Sequence, residues 1–235
     1  MQKNKKIYVA GHRGLVGSAI VSLLKKKGFN KIILKTREQL NLKKQTEVNK
    51  FFKNYKPEIV IIAAAKVGGI YANSKFPASF IYENLMIQNN LINCCYKNGV
   101  ERVIFLGSSC IYPKYAKQPI KEDYLLNGEL ESTNIAYAVA KISGLVMCDS
   151  YNKQYKTDFR CLMPTNLYGP GDNYHGLNSH VIPALIKRFH NAKSNNQKSI
   201  KVWGNGEAKR EFLFSEDLAD AVIFIMKLSK SKYNK

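Results

Sequence analysis

Apolar positions along the chain follow two patterns that alternate from Ile7 to Met163. Short continuous apolar runs stand at Ile7 to Ala10, Lys31 to Lys35, Ile59 to Ala64, Val103 to Leu106 and Phe159 to Met163. Between them, apolar residues recur at helical spacing over Val16 to Lys27, Ala78 to Asn98 and Tyr137 to Tyr155, with a more polar helix over Lys43 to Asn54. A strand that is apolar at every position is covered on both faces. Strands of that kind alternating with helices predict an α/β fold, a Rossmann-type doubly wound parallel sheet. Right-handed crossovers then bring the C-terminal ends of the strands to one edge, where such sheets bind ligands.

After Pro164 the pattern changes. Asn166 to Asp172 has the composition of a loop, Ser179 to His190 predicts a helix with Pro183 in its first turn, and Val202 to Gly206 predicts a strand and turn. Ser215-Glu216-Asp217 caps a last apolar helix. The expected division is a first domain over 1–165 and a smaller second domain over 166–235.

Composition narrows the class. Hydrophobic residues make up 45% of the 235, and no apolar run approaches the roughly 18 residues of a membrane span. The first six residues are basic in the manner of a signal peptide, but His12 and Arg13 interrupt the apolar stretch behind them and no small-residue cleavage site follows. A cytoplasmic protein is expected. Five cysteines, at 94, 95, 110, 148 and 161, form no C-x-x-C pair, which argues against a disulfide framework or a zinc site. The formal charge of +20 comes mostly from scattered lysines without the aromatic platform of a nucleic-acid module. Small anionic ligands such as nucleotide diphosphates fit it equally well, and no nucleic-acid partner is expected.

Gly11-His12-Arg13-Gly14-Leu15-Val16-Gly17 follows the first strand and opens the first helix. Glycines at that spacing make a tight turn and let a pyrophosphate approach the amides at the helix N-terminus, the pattern of a dinucleotide site. An NAD site places a carboxylate at the end of the second strand to accept from the ribose 2′-hydroxyl. Here Arg37 stands 20 positions after Gly17. A guanidinium cannot accept a hydrogen bond but pairs with a 2′-phosphate, and Arg13 offers a second clamp. NADP(H) is the expected cofactor. Only six of the 37 basic residues are arginines, so two at these places carry weight against a reading as solvated surface.

Y-x-x-x-K occurs twice, at Tyr71 to Lys75 and at Tyr137 to Lys141. The first falls in an expected loop, since Pro77 biases Phe76 away from helix. The second opens a helix, where residues i and i+4 share a face. An ammonium beside a phenol, together with a nicotinamide cation, would lower the phenol's pKa toward working pH. Ser108, just beyond the fourth strand, would hold a substrate carbonyl and complete a Ser/Tyr/Lys set for hydride transfer. Cys110 is left over: taken alone it reads as a buried thiol, and His180 as a surface histidine on a helix.

The order of glycine loop, Ser108 and Tyr137-x-x-x-Lys141 resembles the extended short-chain dehydrogenase/reductases, which act on nucleotide sugars. Within them, Gly11 to Gly14, Gly107-Ser108-Ser109-Cys110-Ile111-Tyr112-Pro113, Met163 to Pro170 and Asn178 to Pro183 are similar to the GDP-L-fucose synthase family, over about Lys6 to Met226. The resemblance implies NADPH-dependent conversion of GDP-4-keto-6-deoxy-D-mannose to GDP-L-fucose by epimerisation at C3 and C5 and reduction at C4. It implies Ser108, Cys110, Tyr137, Lys141 and His180 as catalytic residues, with Cys110 the base and His180 the acid of epimerisation. A thiol near a cationic site would have a depressed pKa, and a histidine titrates close to neutral.

For the cofactor the resemblance implies Gly11, His12, Arg13, Gly14, Leu15, Val16, Gly17, Arg37, Leu106, Gly107, Ser108, Ser109, Lys141, Pro164, Thr165, Asn166, Leu167 and His180. Arg188, Trp203 and Arg210 would meet the substrate. The 166–235 stretch would be a nucleotide-sugar domain incomplete at its C-terminus, and the long helices would pair in a homodimer. A nucleotide-sugar 4-epimerase or 4,6-dehydratase, or a nucleotide-binding form without catalysis, are the alternatives. Arg37 argues against the NAD those sister enzymes retain.

Overall fold

A computed structural model of the chain describes residues 3–175, 179–202 and 204–233. In chain order its elements are β1 (Ile7–Ala10), α1 (Leu15–Lys26), β2 (Ile32–Ile33), α2 (Gln45–Tyr55), β3 (Ile59–Ile62), α3 (Ile70–Lys75), α4 (Pro77–Lys97), β4 (Arg102–Leu106), α5 (Ile135–Tyr155), β5 (Phe159–Leu162), β6 (Asn166–Tyr168), α6 (Val181–Ser194), β7 (Phe212–Phe214), α7 (Ser215–Lys227) and α8 (Lys230–Tyr233). Strands β1 to β5 form one sheet in the order β2-β1-β3-β4-β5, and every pairing is parallel. The connection direction reverses between β1 and β3, so the crevice beyond their C-terminal ends is the expected ligand position.

Alternation along each strand divides the core into two layers. Ile7 and Val9 of β1, Ile59 and Ile61 of β3, and Ile104 and Leu106 of β4 meet Ile20, Val21 and Leu24 of α1. Tyr8, Val60, Ile62, Val103 and Phe105 point the other way, against Phe51 and Phe52 of α2, Leu91 and Ile92 of α4, and Cys148 of α5. All four cysteines other than Cys110 stand in or against this second layer, as small apolar groups.

Strand β2 is shorter than the Lys31–Lys35 run, because only Ile32 and Ile33 find partners on β1. The segment Tyr71 to Lys75 is helical, not a loop: α3 stops at Phe76, whose φ of −127° breaks the helix, and Pro77 then opens α4. Lys75 Nζ donates to Tyr71 Oη at 3.0 Å on the surface. Among the described residues no strand occupies 202–206; the strand of that region is β7, paired with β6.

Helix α7 turns back onto the main sheet. It packs on α1 and puts Leu218, Ala219, Val222, Ile223 and Met226 into the first core layer. An ionic knot fixes its end. Arg160 of β5 is fully buried, bonds Asp158 through Nε at 2.7 Å and Nη2 at 2.9 Å, and donates to the carbonyl of Ile225. Arg102 joins the same carboxylate at 2.7 Å and reaches the carbonyl of Met226. Both arginines meet the carbonyl-rich end of α7, where the helix dipole favours cations.

Candidate active site

A cleft of about 700 Å³ opens along the C-terminal ends of β1, β3, β4 and β5. One wall is the glycine loop. Gly11 has φ +86°, and a Cβ there would stand 2.7 Å from the amide nitrogen of Ala64, at the end of β3. A Cβ on Gly17 would lie 2.1 Å from the carbonyl oxygen of Gly11. The loop therefore folds this tightly only with glycine at both places. It delivers the N-terminus of α1 to the cleft with no side chain capping it and no acid in its first turn. Amides without intrahelical partners and a positive dipole end suit a pyrophosphate.

At the end of β2 the lining is cationic. Arg13, Lys35, Arg37, Lys43 and Lys66 face the cleft, with Glu38 and Glu83 between them. The Glu38 carboxyl is lowered, first by the Thr36 hydroxyl, then by its own backbone, with Arg13 and Arg37 adding their charge. No carboxylate stands alone there to accept from a ribose hydroxyl, and the surplus of cations fits a 2′-phosphate.

The chemistry lies at the end of β4. Past the strands, Gly107 N still donates to Leu162 O at 2.8 Å and Ser109 N to Pro164 O at 3.0 Å, so the loops after β4 and β5 run side by side. Ser108 caps a single 3₁₀ turn, Ser109–Ile111, its Oγ accepting from Cys110 N at 3.4 Å. Across from it, α5 supplies Tyr137 and Lys141. The Ser108 hydroxyl lies close enough to favour the ionised phenol, and the Tyr137 ring meets Phe80 edge-on at 6.5 Å between centroids. Lys141 is buried beneath, its Nζ donating to the carbonyl of Leu106 at 2.7 Å and lying 5.8 Å from the centre of the Tyr137 ring.

In the protein without its cofactor, burial sets the electrostatics of this group. The Tyr137 phenol is pushed up: burial dominates, the nearby Cys110 adds to it, and the Ser108 hydroxyl only partly opposes. The Cys110 thiol is also raised by burial, against the lowering influence of the Ser108 hydroxyl and Lys141. Lys141 itself is lowered to about 8, again by burial, with Cys110 and Cys161 pulling the other way. At Cys110 the lowering influence of Lys141, itself desolvated, does not outweigh burial.

Gly11 to Gly17, Arg37, Gly107, Ser108, Tyr137, Pro164 to Leu167 and His180 all line the cleft. Leu106, Ser109, Cys110 and Lys141 are not among its lining residues. Leu106 is a core side chain whose carbonyl holds Lys141, and half-buried Cys110 follows Ser108 in the 3₁₀ turn, outside the residues that line the cleft. His180 is exposed at the N-terminus of α6 and reaches the cleft from the opposite side. Arg188 and Arg210 lie away from the cleft: Arg188 is half-buried and donates to Lys201 O, and exposed Arg210 donates to Lys209 O at 2.6 Å before β7 begins. Trp203 lies outside the described residues.

Several lining residues were not found from sequence. Lys66 and Asn73 follow β3, and Asn73, 7% exposed, keeps its Oδ1 without a partner while its Nδ2 donates to Gly68 O at 2.7 Å and Gly69 O at 3.1 Å. The signal available was the small-residue run Ala63-Ala64-Ala65-Lys66-Val67-Gly68-Gly69 at the end of a central strand. Such residues let a ligand lie against the backbone.

The family model described as NAD dependent epimerase/dehydratase family matches residues 7–234. GDP-L-fucose synthase 1 of Arabidopsis thaliana is 55% identical over 224 residues, which are 95% of this chain and 69% of that protein. The chain belongs to the GDP-L-fucose synthase family. A GDP-L-fucose synthetase from Naegleria fowleri bound to NADP has the same fold at a TM-score of 0.88 and 32% identity, covering 96% of this chain and 74% of that one. A GDP-mannoheptose C4 reductase from Campylobacter jejuni with NADP bound is 43% identical with a TM-score of 0.88, over 97% of this chain and 76% of that one. The family thus joins synthases and C4 reductases on one Rossmann frame.

Proposed function

We propose that the protein is an NADPH-dependent epimerase-reductase that converts GDP-4-keto-6-deoxy-D-mannose to GDP-L-fucose. The observation that carries this reading is the grouping of Ser108, Tyr137, Lys141 and the Cys110 thiol at one strand end, beside a cleft that also meets His180. When bound, NADPH supplies the hydride that reduces the C4 ketone. The loop amides of Gly11 to Gly17 hold its pyrophosphate, and Arg13 and Arg37 take its 2′-phosphate.

Ser108 donates to the ketone oxygen and fixes the sugar. The raised Tyr137 phenol is protonated at neutral pH, the form needed to give a proton to that oxygen as it becomes an alcohol. Lys141, below the ring, balances the phenolate left behind and helps return its proton. For epimerisation, the Cys110 thiolate removes a proton from the carbon beside the ketone, the electron pair passing into the carbonyl as an enolate. His180 returns a proton to the opposite face. The Cys110 thiol gives up its proton against the burial penalty, which Ser108 and Lys141 reduce.

The test is turnover of GDP-4-keto-6-deoxy-D-mannose with NADPH in deuterated water. NADPH oxidation with deuterium at C3 and C5 of the product is expected, and no oxidation of NADPH would end the proposal. A second reading, a C4 reductase without epimerisation, is favoured by Cys110 being half-buried and not among the residues that line the cleft. Reduced product free of deuterium would establish it. We further infer a homodimer through α4 and α5, where Tyr82, Val139 and Val146 leave apolar surface exposed, to be checked by sedimentation. Among the described residues no helix is long and apolar enough to cross a membrane, and a cytoplasmic location is the reading proposed.

A further inference from the structure

The cationic end of the cleft is an alternating chain of charges. Arg13 and Arg37 bracket Glu38, and Arg37 also reaches Glu83 of α4, its Nη2 lying 3.9 Å from Oε2. The same Oε2 accepts from Lys43 Nζ at 3.0 Å, and Oε1 accepts from Lys66 Nζ at 2.6 Å. With Lys35, five cations thus face two carboxylates at this end of the cleft, a surplus of positive charge that suits a dianionic phosphate monoester.

Lys43 is held where it can use that surplus. Its amide donates to Asn41 Oδ1 at 3.1 Å, Asn41 N donates to Glu47 Oε2 at 2.9 Å, and Leu42 O accepts from Asn90 Nδ2 at 2.8 Å. The loop after β2 is therefore tied to α2 and α4. Glu83, sheltered at 19% exposure against 26% for Lys43, keeps the ammonium on the cleft wall within reach of the Arg37 guanidinium. A lysine pairing only with a surface acid needs no such anchoring, and it would not share an oxygen with the arginine that marks the 2′ position.

We infer that Lys43 is a specificity-determining residue, a third cation beside Arg13 and Arg37 for the 2′-phosphate of the dinucleotide, with Glu83 as the residue that positions it. The inference rests on the NADPH reading proposed above. The phosphate takes the place of Glu83 as partner of Arg37, while Lys43 keeps Glu83 on one side and meets the phosphate on the other.

The experiment is calorimetric titration of wild type, Lys43→Met and Lys43→Arg with NADPH, NADH, adenosine 2′,5′-bisphosphate and 5′-AMP. For Lys43→Met, NADPH and the bisphosphate should bind about tenfold more weakly, and NADH and 5′-AMP should change less than about twofold. Lys43→Arg should recover most of the loss. If the wild type prefers NADPH while Lys43→Met leaves all four ligands unchanged, or weakens all four alike, the inference is wrong and Lys43 is only a partner for Glu83. If the wild type binds NADPH and NADH equally, the NADPH reading itself falls, and the inference with it.

Discussion

Replacing Lys141 by methionine should produce an enzyme that is more stable and inactive. Lys141 is 4% exposed, and burial lowers its pKa from 10.5 to about 8. At about 1.4 kcal/mol per pH unit, holding the charge in the folded protein at pH 7 costs about 3 kcal/mol. Methionine fills a similar volume without charge but strands the Leu106 carbonyl, a penalty of about 1–2 kcal/mol. The net gain is about 1–2 kcal/mol, or a rise in Tm of about 2–8 °C for a chain of this size. The pH dependence gives the sharper readout. Because the folded pKa lies below the unfolded one, the lysine's contribution to stability is complete above about pH 10.5 and is lost as pH falls through about 8. The wild type therefore gains on the variant as pH rises from 8 toward 10.5, and the gap in Tm narrows. Thermal denaturation of both proteins without cofactor at pH 7.0, 8.5 and 9.5 (assay choices of roughly this spacing suffice) measures it. The thiols of Cys94, Cys95 and Cys148, on which Lys141 has no influence, titrate in both proteins and cancel, whereas Cys110 loses the lowering influence of Lys141, so the comparison is repeated in a Cys110→Ala background. A variant no more stable at pH 7, or a gap that does not move with pH, refutes the assignment of a desolvated catalytic cation.

Other expectations follow from single contacts. Gly17→Ala places a Cβ 2.1 Å from Gly11 O, so NADPH should no longer raise the Tm of that variant, whereas wild type is stabilised. Cys110→Ala should abolish entry of solvent deuterium at C3 and C5 while reduction of an already epimerised ketone continues; equal loss of both activities would count against separate roles. Asp158→Asn leaves Arg102 and Arg160 sharing a site without a counter-charge, and urea denaturation should show a loss of about 3–5 kcal/mol.

The main sheet was legible because its strands are apolar at consecutive positions, a pattern only a doubly covered sheet explains. The nucleotide wall was legible because Gly11, Gly17 and Arg37 each answer a steric or charge requirement that residue type alone expresses. What the residues could not express is what each element packs against. Ser215 to Met226 announces an apolar helix, yet its docking on α1 depends on Arg102, Asp158 and Arg160, which are separated from it by 55 or more positions and read singly as surface charges. The same limit applies to charge: residue types put a cation beside an acid, but only the fold packs Phe80 on Tyr137 and Phe105 on Lys141, which excludes water and lets burial dominate.

That exclusion gives the site its direction. Burial keeps the phenol protonated and brings the lysine within about one pH unit of neutrality, so a proton passes from Tyr137 to a substrate oxygen at a modest penalty, and Lys141 is the group that can replace it. A site built to remove hydride from an alcohol would need the phenolate at rest, and this environment opposes that form. For Cys110 the same dryness works against its role as base until a substrate ketone, by spreading the developing charge, makes the neighbouring carbon acidic. The order of events follows from this: the ketone is needed for epimerisation and is consumed by reduction, so inversion of the carbons must come before hydride transfer.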